Sequence, residues 1–137
     1  MLTITKEFLF DAAHKLWRHD VSPEENLKIY GNCAKLHGHT YRLQITIKGP
    51  VKEDGMILNF TELKAIVTGK VISRYDHSFL NDMEEYRDLP VTAENMAGYI
   101  FKVLDREMMS HGVILQSVVL YETPTSWATM TREGDDA

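Results

Sequence analysis

The stretch Gly31-Asn32-Cys33-Ala34-Lys35-Leu36-His37-Gly38-His39-Thr40 holds the one cysteine of the chain and two of its six histidines. Imidazoles and thiols bind transition metals and move protons near neutral pH. His37 and His39 are separated by one residue, and on a strand that spacing aims both rings the same way. Two rings so placed can share a metal ion. His14, which ends Phe10-Asp11-Ala12-Ala13-His14, adds a third ring if the two segments pair. Three neutral imidazoles without a carboxylate suit zinc, and three protein ligands leave a position for water or substrate. The plainer alternative is a set of ordinary polar strand-end histidines. Cys33 has two chemical readings. As a fourth ligand it closes the metal site; as a free thiol beside a metal it serves as a base. A small buried hydrophobe is the third reading, and polar Asn32 and Lys35 weigh against it.

Two further places carry chemistry. Asp76-His77 is either a helix ending, where a cationic imidazole suits the negative terminus, or a proton-transfer pair. Glu122 follows an apolar strand and precedes Thr123-Pro124. It is either a solvated strand end or an anchor at a pocket mouth, able to grip a ring edge with two adjacent N–H donors.

These residues need elements to position them. Leu2, Ile4, Phe8 and Phe10 alternate over residues 2–13, a strand pattern broken once by Lys6. A polar connection runs from about Trp17 to Asn32, within which Ser22-Pro23-Glu24-Glu25 can start a short helix. Residues 37–48 give a half-buried strand: His39, Tyr41, Leu43, Ile45 and Ile47 share one face, with Thr40, Arg42, Gln44, Thr46 and Lys48 on the other. Gly49-Pro50 ends it, and Asp54-Gly55 reads as a hairpin turn. Asn59 and Glu62 form a capping box for a helix carrying Phe60, Leu63, Val67 and Val71 and ending near Tyr75. Thr92 caps a second helix, with Met96, Ile100, Val103, Leu104 and Met108 on its buried face and Gly112 as its stop. Residues 113–121 are a strand, and 126–132 a last one. The order predicts an α+β domain with two helices on one face of an antiparallel sheet.

The chain of 137 residues is one domain, residues 1–137, and is long enough to build a core without a metal or disulfide to hold it. A lone cysteine cannot bridge within the chain, which fits a reducing cytoplasm. The alternating start reads as a strand rather than a leader, and no apolar run approaches the roughly 18 residues of a membrane span. A net charge of −5 argues against a nucleic-acid surface. The tail from Arg132 to Ala137 is polar and expected to fray.

Together, Phe10–His14, Cys33-x-x-x-His37-Gly38-His39, Asp76-His77-Ser78-Phe79-Leu80-Asn81, Pro90-Val91-Thr92-Ala93-Glu94-Asn95 and Tyr121-Glu122-Thr123-Pro124-Thr125 are informative. The combination resembles the 6-pyruvoyl-tetrahydropterin synthase family, which includes bacterial 6-carboxy-tetrahydropterin synthases of queuosine biosynthesis. The resemblance runs from about Thr5 to Thr129. It implies a T-fold (tunnelling-fold) subunit, with a four-stranded antiparallel sheet and two helices, assembled as a homohexamer from two trimers. It implies that His14, His37 and His39 bind zinc. Cys33, Asp76 and His77 would transfer protons across a subunit interface, and Glu122 would anchor a pterin in a pocket lined by Thr92 and Glu94. The implied reaction converts 7,8-dihydroneopterin triphosphate to 6-carboxy-5,6,7,8-tetrahydropterin, with release of acetaldehyde and triphosphate. The pyruvoyl product is the alternative, and a non-catalytic zinc- or pterin-binding module is the alternative of another class. The Cys33-x-x-x-His37 spacing and the Glu122–Trp127 ending are similar to the carboxy branch. Glu24-Glu25-Asn26-Leu27-Lys28-Ile29-Tyr30-Gly31 is similar to the animal pyruvoyl enzymes, and Asn59 stands where many bacterial members carry Asp. Without a glycine-rich phosphate loop, no nucleotide cofactor is expected. The triphosphate needs cations, and Lys15, Arg18, His19, Lys28 and Lys35 cluster in sequence near the site.

Overall fold

The longest ladder runs from Thr3↔Lys48 to His14↔His37, joining β1 (Thr3–His14) and β2 (His37–Lys48) antiparallel. This is a computed structural model, which describes residues 1–133. Alternation decides which side is buried. Phe8, Phe10, Ala12 and His14 of β1 and Tyr41, Leu43, Ile45 and Ile47 of β2 face inward, while Leu9 and Thr40 do not. Leu2 lies outside β1 and is exposed, so the strand pattern begins one residue later than the sequence suggests.

The remaining elements are α1 (Pro23–Tyr30), α2 (Phe60–Val67), α3 (Ser73–Tyr75), β3 (Ser78–Phe79), α4 (Ala93–Ser110), β4 (Ile114–Thr123) and β5 (Ser126–Thr131). Thr68–Ile72 forms a π-turn linking α2 to α3, so one helical run reaches Tyr75 as the spacing predicts. Asn59 caps it by accepting from the N–H of Thr61, and Thr92 caps α4 by accepting from that of Asn95. Leu63 and Val67 of α2 and Met96, Ile100, Leu104 and Met108 of α4 fill the core over the inner face of the sheet. Gly112 takes a left-handed φ of 74° just after α4, a conformation that costs glycine little.

The sheet order is β3-β1-β2-β4-β5. The α+β T-fold class holds, but the four expected antiparallel strands gain a fifth. β3 has two residues and pairs parallel to β1 at Ala12 and Ala13, too short to show a period in sequence. The Asp54-Gly55 hairpin is corrected. The turn forms, with Gly55 at φ 83°, but no strand follows it. Ile57 and Leu58 drop into the core instead and lead into α2. The expected fraying at Arg132 is also corrected. Its Nε donates to the carbonyl of Leu115 at 2.9 Å and its guanidinium pairs with Asp105. The rest of the expected frayed tail, beyond residue 133, lies outside the described residues.

Two asparagines hold the segment after His14. Asn81 accepts from the N–H of Lys15 and donates to its carbonyl, both at 2.9 Å. Buried Asn26 does the same for Arg18, at 2.8 and 2.9 Å. Between them, the N–H of Leu16 donates to the carbonyl of Cys33 at 2.7 Å. The end of β1, the Cys33 turn and the segment after β3 are thus tied together, by two-point contacts at Lys15 and Arg18 and a single bond at Leu16.

Candidate functional site

β1 and β2 bring His14, His37 and His39 to one end of the sheet's inner face. Their ring centroids lie 4.6, 5.1 and 4.9 Å apart, and one nitrogen of each lies within 4.8 Å of the others. His14 Nδ1 lies 2.8 Å from the carbonyl of Val91, and His37 Nδ1 lies 2.7 Å from that of Lys35. A carbonyl only accepts, so each Nδ1 carries the proton and each Nε2 keeps a lone pair. Nε2 of His14 and Nε2 of His39 are buried with no hydrogen-bond partner. A buried polar atom without a partner is costly unless something binds it. Neutral imidazoles with carbonyl-fixed tautomers fit zinc.

Burial disfavours the charged form of two of the three rings. Burial, assisted by the neighbouring rings and opposed by the Val91 carbonyl, pushes His14 down from 6.5 to about 4. Burial also lowers His39, against the pull of Glu122, whose Oε1 lies 3.9 Å from His39 Nε2. A pH dependence follows for the metal-stripped protein. Above pH 6.5 His14 is neutral folded or unfolded. Between 6.5 and about 4 the unfolded chain takes up a proton that the folded one refuses, so stability falls as pH falls. The loss should total about 3 kcal/mol. Urea unfolding of chelator-treated protein at pH 7 and pH 4.5 measures most of it, with His14→Gln as the control that removes the His14 share of the slope.

Cys33 sits in the 3₁₀ turn Gly31–Ala34, entered through Gly31 at φ 60°. The thiol is exposed and is not a member of the three-histidine cluster. The structure therefore places the thiol outside the cluster that includes the two histidines lying within seven residues of it.

Asp76 and His77 follow α3. His77 Nδ1 lies 3.0 Å from Asp76 Oδ2, and the ring is largely in solvent. Asp76 Oδ1 accepts from the N–H of Asp11 at 2.9 Å. That bond, with the His77 contact, lowers the Asp76 carboxyl. Asp11 joins Asp76 and His77 in a second cluster within 4.8 Å. It alternates with inward Phe10 and Ala12, so it points to the face opposite the histidines. Within one chain the pair is brought neither to the trio nor into a cluster with Cys33. Asp11 was missed in the sequence, where its outward phase is that of any strand Asp; its register opposite Thr40 appears only in the fold.

A cavity of about 520 Å³ is lined by Leu16, Thr92, Glu94, Glu122 and Trp127, among others. Glu122 borders both this cavity and His39. The three expected pocket residues are thus gathered, although the Thr92 hydroxyl is already engaged as a helix cap.

Residues 3–133 match the model of the family described as 6-pyruvoyl tetrahydropterin synthase. The chain belongs to this family. Over 132 residues it is 39% identical to the 6-pyruvoyl tetrahydrobiopterin synthase of Dictyostelium discoideum, covering 95% of this chain and 96% of that one. It is 34% identical to the 6-carboxy-5,6,7,8-tetrahydropterin synthase of Haemophilus influenzae, covering 93% and 96%. The Caenorhabditis elegans 6-pyruvoyl tetrahydropterin synthase structure superposes with a TM-score of 0.87 at 30% identity, over 96% of this chain and 95% of that one.

In this member of the synthase family three of the five expected phosphate cations are engaged by neighbouring side chains. Arg18 is held by Asp20 at 2.9 and 2.5 Å, Lys28 lies 3.6 Å from Glu25, and Lys15 stacks 4.5 Å over Trp17. Arg18 and His19 share a cavity of about 330 Å³ with Arg87, a cation that the sequence alone did not place there. No helix among the described residues is long and apolar enough to cross a membrane.

Proposed function

We propose that this chain is a zinc-dependent pterin lyase acting on 7,8-dihydroneopterin triphosphate. The observation that carries it is the trio of histidines with two buried, unpartnered Nε2 atoms, one of them 3.9 Å from Glu122, which borders a cavity. His14, His37 and His39 would hold zinc, which supplies Lewis acidity toward the substrate's side-chain hydroxyls. The Glu122 carboxylate grips the N–H edge of the pterin ring, within a pocket shared with Thr92 and Glu94. Cys33, as thiolate, takes the proton from the side-chain carbon attached to the ring. His77, oriented by Asp76, moves the proton of a hydroxyl. Hydrogen passes from side chain to ring, so no external reductant is needed.

Cys33 and the Asp76–His77 pair come from different copies in a homohexamer of two trimers. Both lie in water in the single chain, and proton transfer needs a site from which water is excluded. Exposed Leu27, Ile29 and Leu36 flank the Cys33 turn in sequence and favour burial by a second copy.

The favoured product, with one water consumed, is 6-carboxy-5,6,7,8-tetrahydropterin with acetaldehyde and triphosphate, the queuosine-pathway reaction of a cytoplasmic enzyme, on the Cys33-x-x-x-His37 spacing. The 6-pyruvoyl product is the second reading, favoured by the Glu24–Gly31 stretch and the Dictyostelium relative. Zinc-loaded protein given the triphosphate anaerobically decides it. Equimolar acetaldehyde is expected; a pyruvoyl product selects the second reading. Bound zinc with no tetrahydropterin product would leave a non-catalytic binding module.

A further inference from the structure

The geometry points to Asp11 as a positioning residue for the Asp76–His77 pair: it supplies a second, locked carboxylate beside the imidazole and two backbone bonds that hold the pair. The inference rests on the proton-transfer reading above and deepens it.

Asp11 meets the pair through three groups. Its N–H donates to Asp76 Oδ1 at 2.9 Å. Its carbonyl accepts from the N–H of His77 at 2.6 Å. Its carboxylate comes within 4.8 Å of both an Asp76 oxygen and a His77 ring nitrogen. That carboxylate is itself fixed, because the Thr40 hydroxyl on the paired strand donates to it.

The backbone needs such a hold. His77 sits at φ 61°, the one non-glycine residue with positive φ among the described residues. Side chains with a Cβ occupy that region only when their surroundings over-determine it, and such residues gather at functional sites. The bond from the His77 N–H to Asp11 and the bond from the Asp11 N–H to Asp76 supply the restraint at the strained residue and at the one before it.

The ring needs a hold too. With 79% of the His77 side chain exposed, one carboxylate at Nδ1 leaves the ring free to pivot about a single contact. A second anion restricts its orientation and biases which nitrogen carries the proton. The titratable groups that reach the ring are Asp76 from its own segment and Asp11 from β1. His39 borders the same cavity of about 600 Å³ as Asp11, Thr40 and His77. Asp76 already serves two donors, so Asp11 contributes charge that Asp76 alone does not.

Asp11→Asn is the test, because it keeps both backbone bonds and a partner for Thr40 while removing the charge. In the zinc-loaded enzyme kcat should fall roughly tenfold with KM within twofold. The limb of the pH–rate profile set by His77 should move to lower pH by about half a unit. The two ring ¹⁵N shifts of His77 at pH 7 should change, and Asp11→Glu should recover part of the rate. An unmoved limb and unmoved ring shifts in Asp11→Asn overturn the assignment and leave Asp11 a strand residue only. If Asp11→Asn does not fold, Thr40→Val frees the carboxylate without altering charge, and unmoved ring shifts there overturn it equally. If the wild-type enzyme itself shows no turnover, the function reading falls, while the ring shifts still decide the role of Asp11.

Discussion

Cys33→Ala should retain one zinc per chain and lose about 10³-fold in kcat. Both halves of this expectation come from placement. The thiol lies in the turn before β2, outside the histidine cluster, so deleting it removes no ligand. The same deletion removes the group assigned to the substrate's carbon-bound proton, a proton that water removes poorly. General-base deletion costs of about 10²–10⁴-fold are usual, and a nucleophilic thiolate is hard to replace. Zinc by elemental analysis and single-turnover rates measure the two halves. Alkylation offers an independent check: iodoacetamide should inactivate the exposed thiol of the wild-type protein without releasing metal. Zinc loss in either experiment would make Cys33 a ligand and remove it from proton transfer.

Several parts of this site were legible in sequence because alternation carries three-dimensional information. His37 and His39 sit on one face of β2 in phase with Tyr41, Leu43, Ile45 and Ile47, and the structure keeps that phase. The position of His14 followed only if β1 and β2 pair, and the register His14↔His37 supplies the pairing. Helix ends at Asn59, Thr92 and Gly112 were legible because capping chemistry is local. β3 was not legible, since two residues show no period and their pairing with β1 depends on how the chain turns after buried Tyr75. The Asp54-Gly55 turn was legible, but its use was not: whether a strand follows depends on Ile57 and Leu58 being drawn into the core. The role of Asp11 was hidden for a related reason. An outward Asp on a strand is ordinary until a segment 65 residues away is laid against it.

The largest thermodynamic effect is expected from the metal trio. His37→Ala should lower zinc affinity about 10²-fold or more. Apparent binding energies at four-ligand zinc sites are about 10–16 kcal/mol, so one ligand carries roughly 3 kcal/mol. The loss should be steeper here, because two remaining imidazoles cannot enclose the ion. The stability of the folded chain should follow the same sign. Without metal, His14 and His39 each bury an Nε2 that finds no partner, and His14 does so with no exposed surface. That arrangement destabilises the empty fold and favours binding, since an ion that satisfies these atoms binds the folded chain and not the unfolded one. Zinc should therefore raise Tm in the wild type and in Cys33→Ala by a similar amount, and raise it little in His37→Ala. Thermal unfolding of the three proteins with and without zinc separates the outcomes. A zinc-dependent rise in Tm that survives in His37→Ala would move the metal to other ligands. A rise that disappears in Cys33→Ala would close the site with the thiol after all.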